Sequence, residues 1–275
     1  MKLLLIILFL CIFIVFEAVR NNIPVVRKVK INCPELRGIK IVQLSDLHRK
    51  KFGQLNSRLT SRIRHLSPSL IVMTGDMVSR SETDAEPLTA LIHASEKICP
   101  VYYVLGNHEI DMKNDDFQEL MDIFQHSTAA LLKNQTADIS VNGKTIHITG
   151  LCYERENFRN RNGGFSCLKP YGINDMTDSV GFKPDDGIYT ILLAHNPLYF
   201  DTYASWGADL VLSGHVPGGI IRLPFIGGLL SPERKFFPEY SAGIYRKDNT
   251  VMYVNCGLGK FRIFNPPEIS LIEFE

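Results

Sequence analysis

The stretch that decides the fold is residues 39–48, IKIVQLSDLH, in which a short and mostly apolar run ends at two potential metal ligands. A run of this length with flanking polar residues is typical of a buried β-strand. Alternate residues of a strand point to the same side, so Asp46 and His48 can reach one ion. The stretch therefore predicts a buried strand that delivers two ligands at its carboxyl end.

Four later segments repeat this arrangement of a strand-like run followed by Asp, Asn or His. They are residues 70–76 (LIVMTGD), 101–109 (VYYVLGNHE), 188–195 (IYTILLAH) and 210–215 (LVLSGH). In α/β proteins, ligands bind at the sheet edge where the carboxyl ends of the strands meet. Asp, Asn and His side chains are donors for small divalent cations. We therefore expect all five segments to converge on one metal centre.

Helical patterns separate the early strands. Leu55, Leu59, Ile63 and Leu66 recur at helical spacing, and further helices are expected over residues 84–97 and 115–125. Strands that alternate with helices favour right-handed βαβ units and parallel pairing.

The second half of the chain is richer in β-structure. Residues 139–149 alternate around Asn142-Gly143, which favours a two-residue hairpin turn. Residues 242–245 and 251–254 predict a second hairpin, and residues 269–274 a closing strand. Residues 154–186 predict a long surface loop or cap beside the active edge. We expect an α/β fold of two mixed β-sheets packed face to face and flanked by helices.

The amino terminus is apolar from Leu3 to Phe16. Counted from Met1 to Val19, the segment just reaches the length of about 17–25 residues that a spanning helix needs. The rival is a cleaved signal peptide, but residues 16–18 (FEA) offer no pair of small residues for cleavage. We expect a signal anchor over residues 1–20, a linker over 21–37 and one domain over 38–275.

The composition bears on which kinds of partner and cross-link the sequence predicts. The chain has 30 basic and 29 acidic residues, so nothing predicts a nucleic-acid surface. Its six cysteines are irregularly spaced, which favours neither a zinc pattern nor a disulfide framework.

The ordered motifs resemble those of the calcineurin-like metallophosphoesterases, which carry D-x-H, G-D, G-N-H-[DE], a single His and G-H-x-H in this order. The resemblance runs from about Ile39 to the carboxyl terminus. Residues 218–228 (GGIIRLPFIGG) and 264–269 (FNPPEI) further resemble a bacterial, membrane-associated branch of phosphohydrolases. The set as a whole is specific, whereas any one motif alone would be weak.

The resemblance implies two divalent metal ions, of Mn, Fe or Zn. Asp46 and His48 would bind the first ion, Asp76 would bridge both, and Asn107, His195 and His215 would complete the second. His108 would be catalytic without being a ligand: it would contact the phosphate and help to protonate the leaving oxygen. Two cations about 3.5–4 Å apart clamp a phosphoryl group and activate the water that attacks it.

One position departs from the family pattern. The motif G-H-x-H reads Gly214-His215-Val216-Pro217 here, and the proline ring offers no metal donor in place of the second histidine. The first metal site would therefore be weak or empty. Three outcomes stay open: a two-metal enzyme with one labile ion, a one-metal enzyme, or an inactive relative that binds a phosphorylated ligand.

We predict a metal-dependent phosphohydrolase that cleaves a phosphomonoester or phosphodiester, with a phosphorylated small-molecule or lipid-linked substrate. The orientation of the predicted single-pass anchor is ambiguous. Arg20, Arg27, Lys28 and Lys30 follow the apolar segment, which by the positive-inside rule favours a cytoplasmic domain. The resemblance to exported relatives favours the outer face of the cytoplasmic membrane, and we expect that location.

Overall fold

All five predicted ligand strands are present, distributed over two β-sheets. The computed structural model describes residues 2–158, 169–216, 222–223, 227–228, 238–259 and 262–275. The strands are β1 Val25–Ile31, β2 Lys40–Leu44, β3 Leu70–Thr74, β4 Val101–Val104, β5 Ala130–Leu131, β6 Gln135–Val141, β7 Lys144–Leu151, β8 Thr190–Ala194, β9 Leu210–Ser213, β10 Arg222–Leu223, β11 Gly227–Gly228, β12 Gly243–Lys247, β13 Thr250–Val254 and β14 Glu268–Phe274. The helices are α1 Lys2–Arg20, α2 Ser57–Leu66, α3 Glu86–Glu96, α4 Asn107–Ile110, α5 Asn114–Gln125, α6 Ile173–Val180 and α7 Phe200–Trp206.

The first sheet has six strands in the order β1-β14-β2-β3-β4-β5. Strands β2, β3, β4 and β5 run parallel, as the intervening helices predict. Strand β14 returns antiparallel to β2 and pairs with β1 in parallel on its other side. The three ligand strands β2, β3 and β4 are therefore adjacent and end at the same edge.

The second sheet also has six strands, in the order β12-β13-β9-β8-β7-β6. Its centre, β13-β9-β8-β7, is parallel. Both predicted hairpins form its margins, and Asn142 and Gly143 occupy the turn between β6 and β7 with positive φ angles of 52° and 76°. The two remaining ligand strands, β8 and β9, lie side by side at the centre of this sheet.

Three apolar layers hold the sheets and helices together. The layer between the sheets contains residues of both, including Ile41, Val72, Ile148 and Leu193. A second layer packs α2, α3 and α5 on the outer face of the first sheet. A third packs α6 and α7 on the outer face of the second sheet. The predicted fold, two mixed sheets flanked by helices, is confirmed.

Two segments differ from the sequence prediction. Residues 25–31, part of the predicted linker, form the edge strand β1. Its charged residues Arg27, Lys28 and Lys30 are exposed, as an edge strand tolerates. The segment therefore has no apolar run of the kind that identifies a central strand in the sequence. Within 154–186, a 3₁₀ turn at Arg155–Asn157 and helix α6 replace the predicted loop. Residues 159–168 of that stretch, and Pro217, lie outside the described residues.

Helix α1 exposes most of its apolar side chains, with exposed fractions that run from 49% at Ile7 to 71% at Leu4. Among the described residues, Phe13 and Glu17 of this helix contact Phe264, the first through its ring and the second by accepting a hydrogen bond from its backbone N–H. Across the part of the chain that the structure describes, no helix combines the length and apolarity needed to cross a membrane. The spanning helix expected for residues 1–20 is therefore not supported.

Candidate metal centre

The loops that follow the five ligand strands meet at one edge of the two-sheet sandwich. Asp46 and His48 follow β2, and Asp76 follows β3. Asn107 and His108 begin the short helix α4 directly after β4. His195 follows β8 and His215 follows β9. Parallel strands deliver their carboxyl-terminal residues to a common edge, which explains why segments so far apart in sequence assemble here.

Four of these residues have a left-handed backbone. The φ angles are 51° at Asp46, 50° at His48, 54° at Asp76 and 66° at His215. L-residues other than glycine rarely adopt this region, and each such residue costs on the order of 1–3 kcal/mol. Backbone strain of this kind concentrates at functional sites, where the surrounding structure holds it in place. Here it turns each side chain sharply out of its strand end and towards the others.

Asp76 lies at the middle of the cluster. Its Oδ2 atom is 3.4 Å from His195 Nε2, 3.9 Å from His108 Nε2 and 4.0 Å from His48 Nε2. Its Oδ1 atom accepts a hydrogen bond of 2.8 Å from the backbone N–H of His108. One carboxylate thus faces imidazoles on two sides, which is the position that a bridging ligand requires.

The first group on this carboxylate is Asp76, His195 and His215, whose potential ligand atoms all lie within 4.8 Å of one another. His195 is fully buried, and its Nδ1 atom donates to the backbone oxygen of Thr74 at 2.6 Å. That bond keeps a proton on Nδ1 and leaves Nε2 facing Asp76, where its lone pair becomes available to a cation once Nε2 loses its proton. The geometry of His195 is therefore that of a histidine ready to bind a cation.

The second group is Asp76, His48 and His108, also within 4.8 Å of one another. In His108, however, the Nδ1 atom accepts a hydrogen bond of 3.3 Å from the backbone N–H of Arg80. A neutral imidazole that accepts at Nδ1 carries its proton on Nε2, so the nitrogen facing the cluster is a donor. This geometry disfavours His108 as a metal ligand and suits contact with an anionic oxygen.

Asp46 and Asn107 complete the set. The Oδ2 atom of Asp46 accepts hydrogen bonds from Ser45 Oγ at 2.6 Å and from the backbone N–H of His215 at 3.1 Å. The bond from His215 ties the loop after β2 in the first sheet to the loop after β9 in the second. Asn107 is buried at the amino terminus of α4, with its side chain at the same edge.

The donor set fits divalent cations. Among the described residues, the buried atoms His48 Nδ1 and Asn107 Oδ1 have no hydrogen-bond partner, and His195 Nε2 has none shorter than its 3.4 Å approach to Asp76 Oδ2. A buried polar atom without a partner costs about 1–3 kcal/mol, so clusters of them call for an explanation such as an ion. Imidazole, carboxylate and amide oxygen together suit Zn²⁺, Mn²⁺ or Fe²⁺.

The pKa shifts of Asp76 and His195 also favour a bound cation. Burial would raise the pKa of Asp76, but His195, His108 and His48 outweigh it and hold that pKa well below the usual range. Burial would lower the pKa of His195, but Asp76 raises it to about 10. A proton on His195 therefore supplies the positive charge that Asp76 demands. A bound cation would displace this proton, so metal binding should release protons.

Glu109 is a residue whose role we did not predict. It is fully buried, and its carboxylate accepts hydrogen bonds from the backbone N–H groups of Asp76 (2.9 Å), Met77 (2.7 Å) and Gly106 (2.9 Å) and from the hydroxyl of Tyr103 (2.7 Å). Burial raises the pKa of Glu109, and the charge of Asp76 raises it further. The carboxylate joins the loops after β3 and β4.

Gly106 allows the closest approach between these loops, because a Cβ atom there would lie 2.5 Å from the nitrogen of Asp76. In the sequence, the only sign that Glu109 joins these two loops is its place at the end of the run G-N-H-E. An acidic residue at such a place also occurs in ordinary turns.

The comparisons with known proteins agree with this geometry. The model of the calcineurin-like phosphoesterase family matches residues 39–219, the span from β2 to just past β9. The chain belongs to that family, as the motifs predicted, and is a phosphoesterase-type hydrolase. The family and the His/Asp groups together establish a metal-binding hydrolase, while the identity of the metals stays open.

Individual relatives extend over most of the chain. An uncharacterised metallophosphoesterase of Campylobacter jejuni is 27% identical over 97% of this chain and 68% of its own length. The UDP-2,3-diacylglucosamine pyrophosphatase LpxG of Chlamydia trachomatis is 26% identical over 91% of this chain and 89% of its own. The solved structure of the Thermus thermophilus sulfate thiohydrolase SoxB shares the fold, with a TM-score of 0.52 and 14% identity over 87% of this chain and 56% of its own.

Replacing Asp76 tests the centre directly. Asp76→Ala should weaken Mn²⁺ binding by more than the roughly 10–100-fold that loss of an outer-shell partner costs, because one carboxylate serves both groups. Isothermal titration of Mn²⁺ into stripped protein measures this. Asp76→Asn, which keeps an oxygen acceptor for His108 N–H, separates loss of charge from loss of fold. Asp84→Ala, an exposed aspartate paired with Lys51, is the control. Unchanged metal affinity in both Asp76 variants would contradict the assignment.

Proposed function

We propose that the chain hydrolyses a phosphomonoester or phosphodiester at a centre of two divalent cations. The observation that carries this proposal is the position of Asp76 between two groups of imidazoles at the carboxyl edge of both sheets. When bound, the cations would hold the phosphoryl oxygens and lower the pKa of the attacking water. The residues proposed to bind them are Asp46, His48 and Asp76 for the first ion and Asp76, Asn107, His195 and His215 for the second.

His108 is proposed to act on the substrate. Burial lowers the pKa of His108 to about 4 in spite of the opposing charge of Asp76, so its imidazole is neutral at pH 7. The hydrogen bond from Arg80 leaves the Nε2 proton directed into the cluster. A neutral Nε2–H donates to a phosphate oxygen or to the leaving oxygen as charge develops there.

The substrate proposal is a phosphate that carries an apolar group. Two observations support it: the similarity to LpxG, whose name gives a diacylated sugar nucleotide as substrate, and the exposed apolar surface of α1. An apolar helix at the amino terminus would bring the metal edge close to a lipid surface. Location at the outer face of the cytoplasmic membrane stays a prediction, which protease accessibility in intact and permeabilised cells would check.

An assay panel tests the reaction and the substrate class together. With Mn²⁺ added, the full-length protein should hydrolyse p-nitrophenyl phosphate or bis-p-nitrophenyl phosphate. It should act faster on a lipid-linked diphosphate in mixed micelles, because the apolar group adds binding energy that is absent from the soluble esters. Asp76→Ala is the matched control for contaminating phosphatases. No hydrolysis of any ester at saturating Mn²⁺ would contradict the proposed reaction. Equal rates on soluble and lipid-linked compounds would contradict only the proposed substrate class.

His108→Ala should lower kcat by roughly 10²–10⁴-fold while the metal content stays near that of the native protein. Because the pKa of about 4 lies far below neutrality and a nearby cation would lower it further, His108 does not titrate between pH 6 and pH 9. The pH profiles of kcat for the native and variant proteins should therefore run parallel. His126→Ala, at the exposed end of α5, is the control. Loss of metal from His108→Ala would show that this histidine is a ligand.

The alternative function is a weakened or inactive relative that binds a phosphorylated ligand through the same edge, and Pro217 is the reason to consider it. The first ion would have three protein ligands against four for the second, so metal titration should show one tight and one weak event. Pro217→His should tighten the weak event and raise activity at limiting Mn²⁺. Pro217→Ala, which removes the ring without adding a donor, should not. Two equally tight events in the native protein would show that another residue replaces the missing histidine.

A further inference from the structure

The segment that follows β13, residues 255–259, packs directly against the ligands of the first ion. The backbone N–H of Leu258 donates to the oxygen of Ser45 at 2.9 Å. Gly257 has a φ angle of 77°, and a Cβ atom there would lie 2.8 Å from Asp46 Cβ. A Cβ atom at Gly259 would lie 3.0 Å from the oxygen of Asp46. The loop after β2 therefore rests on a glycine-containing segment that leaves it no space on this side.

Arg262 also packs against that segment, because a Cβ atom at Gly257 would lie 2.9 Å from its Nη2 atom. Its side chain is almost completely buried, with 3% of its surface exposed. Its Nε atom donates to the oxygen of Gly259 at 2.9 Å and its Nη1 atom to the oxygen of Cys256 at 2.5 Å. Among the described residues, no carboxylate pairs directly with it. One planar guanidinium thus links both ends of the segment that carries Gly257 and Leu258.

A buried cation at this place needs a reason, because taking a guanidinium out of water is costly and burial lowers the pKa of Arg262. The two carbonyl oxygens partly compensate that cost, and the negative charge of Asp46 nearby favours the cation. Lysine would not replace it, since an ammonium is a point charge that lacks the rigid fork needed to reach two separate carbonyls. The contacts are therefore specific to arginine.

The backbone of Arg262 connects the same segment to the amino-terminal helix. Its carbonyl oxygen accepts a hydrogen bond of 2.7 Å from Asn21 Nδ2, directly after α1. Next to it, the backbone N–H of Phe264 donates to Glu17 Oε2 at 3.2 Å, and the ring of Phe264 lies 5.5 Å from that of Phe13. The carboxyl-terminal end of α1 is thus seated on the residues that hold the loop segment in place.

We propose that Arg262 is a positioning residue of the metal centre: its guanidinium fixes residues 256–259 against Asp46 and His48, and its backbone seats the end of α1. This proposal rests on the proposed metal centre, but testing it requires no catalytic turnover. With only three protein ligands expected for the first ion, the placement of Asp46 and His48 depends more heavily on the residues behind them than it would in a site with four. Arg262 supplies that support.

The test uses the full-length protein in detergent micelles with Arg262→Met, which keeps an apolar side chain of similar length but no donors. In the metal-free protein, amide hydrogen exchange at Leu258 should rise at least about tenfold, because the segment loses both of its bonds to the guanidinium. In Mn²⁺ titrations, the weak event should weaken by roughly 10–100-fold while the tight event stays unchanged. For Arg262→Lys, the exchange rate at Leu258 and the affinity of the weak metal event should lie between those of Arg262→Met and the native protein. This variant replaces Arg262→Met in the test if the methionine variant does not fold.

The matched control is Thr250→Val, which removes a buried hydrogen bond from the hydroxyl of Thr250 in β13 to the oxygen of Ala208, at the end of β13 remote from residues 256–259. It should lower stability without changing exchange at Leu258 or the weak metal event. Equal changes in Thr250→Val and the Arg262 variants would overturn the proposal in favour of a general structural role. Native metal affinity in Arg262→Met would overturn it as well. Neither result depends on whether the protein hydrolyses an ester, so both are distinct from failure of the proposed function.

A separate variant tests the contact between Arg262 and the end of α1. Asn21→Ala removes the hydrogen bond to the carbonyl oxygen of Arg262 and leaves the guanidinium in place. Exchange at Leu258 should rise by up to about fivefold, which is less than in Arg262→Met, because one neutral hydrogen bond is lost. Asn22→Ala, which loses only an exposed bond to the oxygen of Ala18 and one from Lys50, is the control. Unchanged exchange in Asn21→Ala would remove α1 from the proposal.

Discussion

The candidate centre depends on the buried carboxylate of Glu109. It accepts hydrogen bonds from the backbone of the loop after β3 and of the loop after β4, and it holds Asp76 between them. An acceptor with several lone pairs is needed here, because Asp76 has a left-handed backbone and the N–H groups around it have no strand partners. A neutral side chain of similar size would leave several buried donors unsatisfied. The position of the Asp76 carboxylate is thus set by a second carboxylate that does not face the cluster.

The same arrangement recurs at the other sheet, with different groups. The carboxylate of Asp46 accepts a hydrogen bond from the backbone N–H of His215, and the backbone N–H of Gly214 donates to the oxygen of His195. Gln43 extends the connection by donating to the oxygen of Ser213 in β9 and to Thr74 in β3. These polar contacts between the two sheets lie at the end that carries the candidate ligands, while apolar side chains such as Ile41 and Leu193 form the layer between the sheets. This distribution joins the candidate ligands of both sheets at one edge.

Much of this could be predicted from the sequence, because strands and their order leave local patterns. The runs that end at Asp46, Asp76 and His195 were recognisable, and the turn Asn142-Gly143 fixed a hairpin. Strand β1 was missed because three of its seven residues are charged, a composition that an edge strand tolerates and a linker shares. The roles of Glu109 and Arg262 depend on contacts between distant segments, so neither periodicity nor spacing could indicate them.

The different roles proposed for the histidines follow from the second nitrogen of each ring. His195 donates from Nδ1 to the oxygen of Thr74, so its Nε2 lone pair is available to a cation. His108 accepts at Nδ1 from the N–H of Arg80, so its Nε2 carries a proton and faces the same carboxylate as a donor. The two Nε2 atoms lie at similar distances from Asp76, 3.4 Å and 3.9 Å, and distance alone would not distinguish them. The backbone partner on the far side of each imidazole therefore distinguishes the cation-binding role proposed for His195 from the donor role proposed for His108.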